Sequence, residues 1–266
     1  PLLAILAAVG IVWVVQAVQH RRVRQLLQAS ALAGAVCLVS LPDWFGVDQV
    51  DDIEARYRIA RAIENSGDLE AALSAYDDVL RRDPSHALAA ARAAGCEQRL
   101  GRVQEAVARY ETVLDRHPDY VEVMVNLANL AWRFGDPVTA QAYFELAQQT
   151  DPWYAQAYGY DAMLRASQGQ HRVAVGLYTE ALRLDPSWEQ LRVEKARSLL
   201  AIGAASEALQ TLGEVPADLV SRNAAAQELL GDIQMTLGRT VEAEQSWRRA
   251  LELDPRNARV REKLRR

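Results

Sequence analysis

The sequence predicts an all-α chain: a stack of helix–turn–helix hairpins preceded by two membrane-spanning helices. Three observations carry this. Glycine recurs at 67, 101, 135, 169, 203 and 238, at intervals of 34, 34, 34, 34 and 35. The residues around each glycine repeat apolar positions at helical spacing. Two uncharged runs, Pro1–Gln19 and Gln25–Pro42, flank a short basic turn at the front.

The front runs are close to the roughly 20 apolar residues that cross a bilayer. The first span is expected over 1–19. The second covers 25–45, because Trp44 and Phe45 suit the headgroup zone. Residues 20–24 hold Arg21, Arg22 and Arg24, which places this turn on the cytoplasmic side by the positive-inside tendency. Everything beyond a linker at 46–52 then lies on the opposite side, periplasmic or extracellular, in a bacterial inner membrane. A cleaved leader would have one apolar core rather than two around a basic turn. The sequence begins at Pro1, not methionine, and on this reading further residues precede it.

The body is built from landmarks counted from each glycine. Five residues on stands alanine: Ala72, Ala106, Ala140, Ala174, Ala208 and Ala243. Nine on is a large apolar residue: Tyr76, Tyr110, Phe144, Tyr178, Leu212 or Trp247. Seven before is Ala60, Ala94, Ala128, Ala162, Ala196 or Gly231, small enough for helices to approach closely. Proline stands seventeen on at 84, 118, 152, 186 and 255, where it ends the second helix. In that helix Leu69, Ala72, Leu73, Tyr76, Val79 and Leu80 share one face.

These landmarks resemble the tetratricopeptide repeat, a 34-residue helix–turn–helix unit. The resemblance covers 53–257 as six units: 53–86, 87–120, 121–154, 155–188, 189–223 and 224–257. It implies a right-handed superhelical solenoid, with the charged segment 258–266 as a capping helix. Leu230 and Gly231 reproduce the family's leucine–glycine pair. Its tryptophan near the start of the first helix is replaced by Arg56, Ala90, Met124, Tyr158, Arg192 and Gln227. The fifth unit departs further. Pro216 comes four residues early and one residue is added, so its second helix, from Ser206, should stop near Val215 and the superhelical twist should change there.

Composition narrows the chemistry. The chain of 266 residues is half hydrophobic and carries a net charge of -5. Beyond Pro42 there are 27 bases against 35 acids, a poor match for nucleic acid. Cys37 and Cys96 are isolated and read as packed thiols, with no metal-ligand spacing. No phosphate loop, paired histidine motif or nucleophile elbow occurs, so no catalytic, cofactor or metal residue is assigned. His86, His117 and His171 read as surface or capping residues. The acid pairs Asp51–Asp52 and Asp77–Asp78 read as helix-start charges or solvated faces. Asp161 and Lys195 stand at equivalent positions of adjacent units, eight before the glycine, and are expected to meet as an ion pair.

The resemblance further implies that the first helices line a groove holding a peptide or a partner's helix. The family's groove-facing sites fall on Tyr57, Arg61, Gln98, Arg99, Asn129, Trp132, Arg133, Gln156, Met163 and Arg197. Four arginines in an acidic body point to a carboxylate-bearing protein segment. The family's chaperone-binding clamp is incomplete: Asn129 matches, but Val125 fills the preceding lysine site. Trp153, Tyr154, Tyr158, Tyr160 and Trp188 are expected to be core at the junctions of the third to fifth units. The resulting reading is a non-enzymatic membrane scaffold, anchored in the bilayer by residues 1–45. An alternative is the C-terminal tail of a polytopic glycosyltransferase or oligosaccharide ligase, with its catalytic acids upstream.

Overall fold

The computed structural model describes residues 47–265, with side chains from Ile53 onward. The expected membrane spans 1–19 and 25–45, the basic turn between them, Cys37 and the side chains of Asp51 and Asp52 lie outside the described residues. Among the described residues no helix is long and apolar enough to cross a membrane.

The described residues form fourteen α-helices and no strand. The first hairpin is α1 (Val47–Ser66) and α2 (Leu69–Arg82), so most of the segment 46–52, expected as a linker, opens α1. Then come α3 (Ala87–Arg99) with α4 (Val103–Arg116), α5 (Val121–Arg133) with α6 (Pro137–Thr150), and α7 (Ala155–Ser167) with α8 (His171–Leu184). In the fifth, α9 (Glu189–Ala201) is followed by α10 (Ala205–Gly213) and the short α11 (Ala217–Arg222). Helices α12 (Ala224–Thr236), α13 (Thr240–Leu253) and α14 (Ala258–Lys263) complete the stack.

Each hairpin turns on its glycine. All six have positive φ, between 75° and 91°, in the left-handed region that costs other residues about 1 kcal/mol or more. A Cβ there would touch nothing within 4 Å, so the requirement is conformational and not one of space. The stop at the other end is chemical as well as steric. Asp83, Asp151, Asp185 and Asp254 precede their prolines, and each accepts the backbone N–H two residues on, at 2.9–3.1 Å.

The core is the set of landmark positions. Ala60, Ala94, Ala128, Ala162 and Ala196 are fully buried, as are the alanines five after each glycine. Tyr76, Tyr110, Phe144 and Tyr178 fill the space beside them, each worth roughly 2 kcal/mol of burial. Where the large residue is Trp247, its alanine is replaced by Gly231. A Cβ on Gly231 would lie 2.4 Å from the indole, so the larger ring fits only over the smaller residue. Gly159 is covered by Trp188 in the same way, at 2.6 Å.

Successive first helices pack directly on one another, α5 on α7, α7 on α9 and α9 on α12, and the second helices make no comparable contact. The first helices therefore lie on the tighter side of the stack. Between α2 and α4 the join is made instead by long side chains. Arg102 reaches Glu70 at 2.6 Å, Arg109 reaches Asp77 at 2.9 Å, and Arg116 donates to the Pro84 carbonyl at 2.6 Å. The three arginines are seven residues apart, as are their partners, so the rungs repeat every two helical turns. Arg109 also forks onto both oxygens of buried Glu97. Asp77 and Asp78 are thus not simply solvated: Asp78 pairs with Arg56, Arg81 and Arg82.

The fifth hairpin breaks as its displaced proline dictates. Helix α10 ends at Gly213, and Pro216 opens α11. At the end of the stack, Val260 of α14 is buried with Ala243, Trp247 and Ala250. Lys263 bonds Glu228 at 2.9 Å and Asp232 at 2.6 Å.

Candidate partner-binding face

The residues singled out from sequence fall into three groups. Arg61, Arg99, Arg133, Gln156 and Arg197 are exposed on first helices, and Gln98, Asn129, Trp132 and Met163 are half-buried there. Tyr57 is the correction. It is buried at 7% exposure, its ring 6.0 Å from that of Tyr76 and 5.0 Å from His86, and it packs the core instead of facing a groove. Its position, ten before the turn glycine, is a buried one in the next two hairpins as well, at Ala91 and Val125.

The arginines are not equally available. Arg99 lies 3.5 Å from Glu64, and Arg92 of the same helix lies 3.9 Å from it. Arg197 pairs with Glu194 at 3.3 Å. Arg61 and Arg133 have no carboxylate partner among the described residues. Glu64 escaped sequence reading although its register offered the signal: it stands three before its turn glycine, as Gln98 and Trp132 do. It accepts the Tyr76 hydroxyl at 2.7 Å, and burial together with this carboxylate raises the Tyr76 phenol far above its ordinary range. Gln98 accepts the Tyr110 hydroxyl at 3.4 Å in the next hairpin. In the third, Phe144 has no hydroxyl to satisfy, and an indole takes the place of the acceptor.

Arginine at the family's tryptophan site has an evident role. Arg56 reaches Asp78 at 2.8 Å and Arg192 approaches Glu214 at 3.6 Å, each partner lying 22 residues on. A salt bridge within the hairpin stands where an indole would pack.

The expected Asp161–Lys195 pair does not form. Asp161 is buried and accepts from Arg165 at 3.1 Å and from Gln148 at 3.0 Å; Arg165 also bonds Glu145 at 2.7 Å. Arg165 is one turn away on the same helix and reaches the carboxylate first. Burial raises the Asp161 carboxyl above its usual value, with Gln148 and Arg165 opposing the shift.

Of the five aromatics expected as core, Tyr154, Tyr158, Tyr160 and Trp188 pack against buried clusters. Trp153 does not: it is 73% exposed, with the Arg183 guanidinium 5.5 Å from its ring. It sits on the interhairpin loop, where helical periodicity gives no information about facing. His86 caps α3 by accepting the Ala89 N–H through Nδ1 at 3.2 Å. Cys96 is fully buried, and burial pushes its thiol up to about 11. Among the described residues no cluster of histidine, cysteine or acid side chains fits a metal ion.

Tetratricopeptide-repeat family models match residues 57–108, 97–155, 165–233 and 224–257. Among solved structures, PilW, described as a widely conserved type IV pilus biogenesis factor, is 23% identical with a TM-score of 0.68, covering 80% of this chain and 98% of that one. PilF of Pseudomonas aeruginosa is 18% identical with a TM-score of 0.73, covering 81% and 98%. YrrB, described as having an unusual peptide-binding site, is 15% identical with a TM-score of 0.62, covering 72% and 98%. At these identities the likeness is one of fold. No match is found among curated proteins.

Proposed function

The chain belongs to the tetratricopeptide-repeat family, and from that premise we propose that it is a membrane-anchored scaffold which captures a protein segment along its first helices. The six units are 53–86, 87–120, 121–154, 155–188, 189–223 and 224–257, wound as a right-handed superhelix. Residues 1–45 hold the chain in the bilayer and the repeats lie on the extracytoplasmic side. Anchoring raises the local concentration of whatever is held. The scaffold performs no reaction and needs no cofactor.

One observation supports the binding face above the others. Arg61 and Arg133 are exposed on first helices without a carboxylate partner, and Arg133 adjoins half-buried Trp132. Arginine and tryptophan are common energetic anchors at interfaces. Two uncommitted guanidinium groups in a body with excess acid favour a segment that carries carboxylates. YrrB's peptide-binding site offers a precedent on the same fold. The pilus role of PilW supplies one kind of membrane-associated assembly in which such a scaffold would serve.

The test uses the full chain, tagged and recovered from solubilised membranes of its host with its bound partner. The Arg61→Glu/Arg133→Glu variant should recover at least tenfold less partner, and Arg99→Glu, already paired with Glu64, should lose less. Equal recovery by all three would overturn the binding face. Extraction of the full chain from membranes by alkaline carbonate would overturn the anchor.

A further inference from the structure

We propose that the interhairpin loops of the first two hairpins form a site for a small oxyanion, a carboxylate or a phosphate. A cavity of about 200 Å³ opens between the end of α2, the start of α3 and the second half of α4. Its basic lining is His86, Arg109, Arg116 and His117, with no carboxylate, in a chain whose net charge is -5.

The four basic groups differ in what they have left to give. The Arg109 guanidinium is committed to Glu97 and Asp77, so it forms a wall and contributes little free charge. Arg116 donates Nη1 to the Pro84 carbonyl, which fixes the guanidinium across the join, and has no carboxylate partner among the described residues. Its Nε and Nη2 groups remain for a planar two-oxygen ligand. His86 accepts the Ala89 N–H at Nδ1, so a neutral ring carries its proton on Nε2 and presents a donor there. His117 has no side-chain hydrogen bond among the described residues.

Two carboxylates lie close, and neither lines this cavity. Asp83 is turned into its own loop, accepting the Ser85 N–H at 3.0 Å and hydroxyl at 2.6 Å. Asp119 lines an adjoining depression of about 280 Å³ with His117, Leu88 and Tyr120. The repeat itself marks the second hairpin as different. Where Asp83, Asp151, Asp185 and Asp254 precede a proline, this hairpin has His117 before Pro118. The position that is acidic in four other hairpins is basic here, beside an arginine without an acid.

The full chain in detergent, carrying ¹³C-labelled histidine, tests the site by NMR. Sodium phosphate and N-acetyl-aspartate amide are titrated separately, with chloride holding the ionic strength constant. The His86 and His117 ring signals should shift and saturate, and His20 and His171 should not. Saturation with phosphate alone identifies a phosphate site. Saturation with the aspartate derivative identifies a site for a carboxylate of a partner or metabolite. Arg116→Gln should weaken binding at least tenfold with an unchanged circular-dichroism melt. If that variant melts early, His117→Asn, read through the His86 signal, makes the same comparison. No saturation by either anion, an equal shift at His171, or full affinity in both variants would overturn the proposal.

Discussion

Between α2 and α4 the hairpins are joined by arginines reaching acids and a carbonyl at two-turn intervals, over a buried carboxylate. Within the last hairpin, α12 and α13 meet through an indole laid on a glycine, closed by Lys263 at 5.8 Å from the ring. One fold geometry accepts both solutions. The first join rests on ion pairs and the arginine bond to a carbonyl; the second rests first on shape, with the indole N–H donating to Asp232 at 3.0 Å and Lys263 bonding the same carboxylate. The two ends of the stack therefore fail for different reasons.

The largest effect should come from the buried part of the ionic join. Glu97 is 4% exposed, and Arg109 is the only basic group bonded to it among the described residues. Arg109→Leu strands that charge and should cost about 3 kcal/mol. Glu97→Leu/Arg109→Leu should recover much of the loss in a denaturant melt, and a double variant no better than the single would break the comparison. Next is Gly231→Ala, which drives a Cβ into Trp247 and should cost about 2 kcal/mol. Adding Trp247→Tyr restores the alanine–tyrosine pairing of the first, second and fourth hairpins, so calorimetry should show a partial return of Tm.

Asp161 sharpens the contrast through pH. Its folded carboxyl holds a proton to higher pH than the unfolded one, whose ordinary value is 3.8. The folded state thus binds more protons across that interval, and the contribution favours folding in acid and is lost as pH rises through the raised value. Asp161→Asn should therefore gain stability relative to the parent on going from below pH 3.8 to neutrality. A pH series of melts in which the difference stays flat would refute the burial account. The smallest effect belongs to the exposed rung. Arg102→Gln, opposite Glu70, should cost less than about 1 kcal/mol and nothing measurable at high salt. A cost as large as that of Arg109→Leu would mean the rungs act as one unit.

The backbone was readable because glycine and proline act locally. A glycine at positive φ and a proline that cannot continue a helix leave marks in single letters. The break before Pro216 and all six turns followed from them. Landmark burial was readable too, since a 34-residue period fixes which positions face a neighbour. The candidate site was less so. Period gives the face of a residue, not the course of a long side chain: Arg99 bends to Glu64, and Asp161 turns to its own helix. Tyr57 was legible after all: ten before its turn glycine it shares a register with Ala91 and Val125, which are buried too, so the period itself places it in the core. Trp153 lies on a loop, where no period operates. Glu97 and Arg109, twelve residues apart, give no sign in sequence that one is buried and the other forks onto it.

Cys96 gives the first join a built-in clock. Thiol reagents attack the thiolate, and here the group is both inaccessible and reluctant to ionise. In a Cys37→Ser background, labelling proceeds only when α3 parts from the helices around it. The labelling rate then counts how often the front of the stack breathes, independently of any partner, and gives local opening a number that melting of the whole chain averages away.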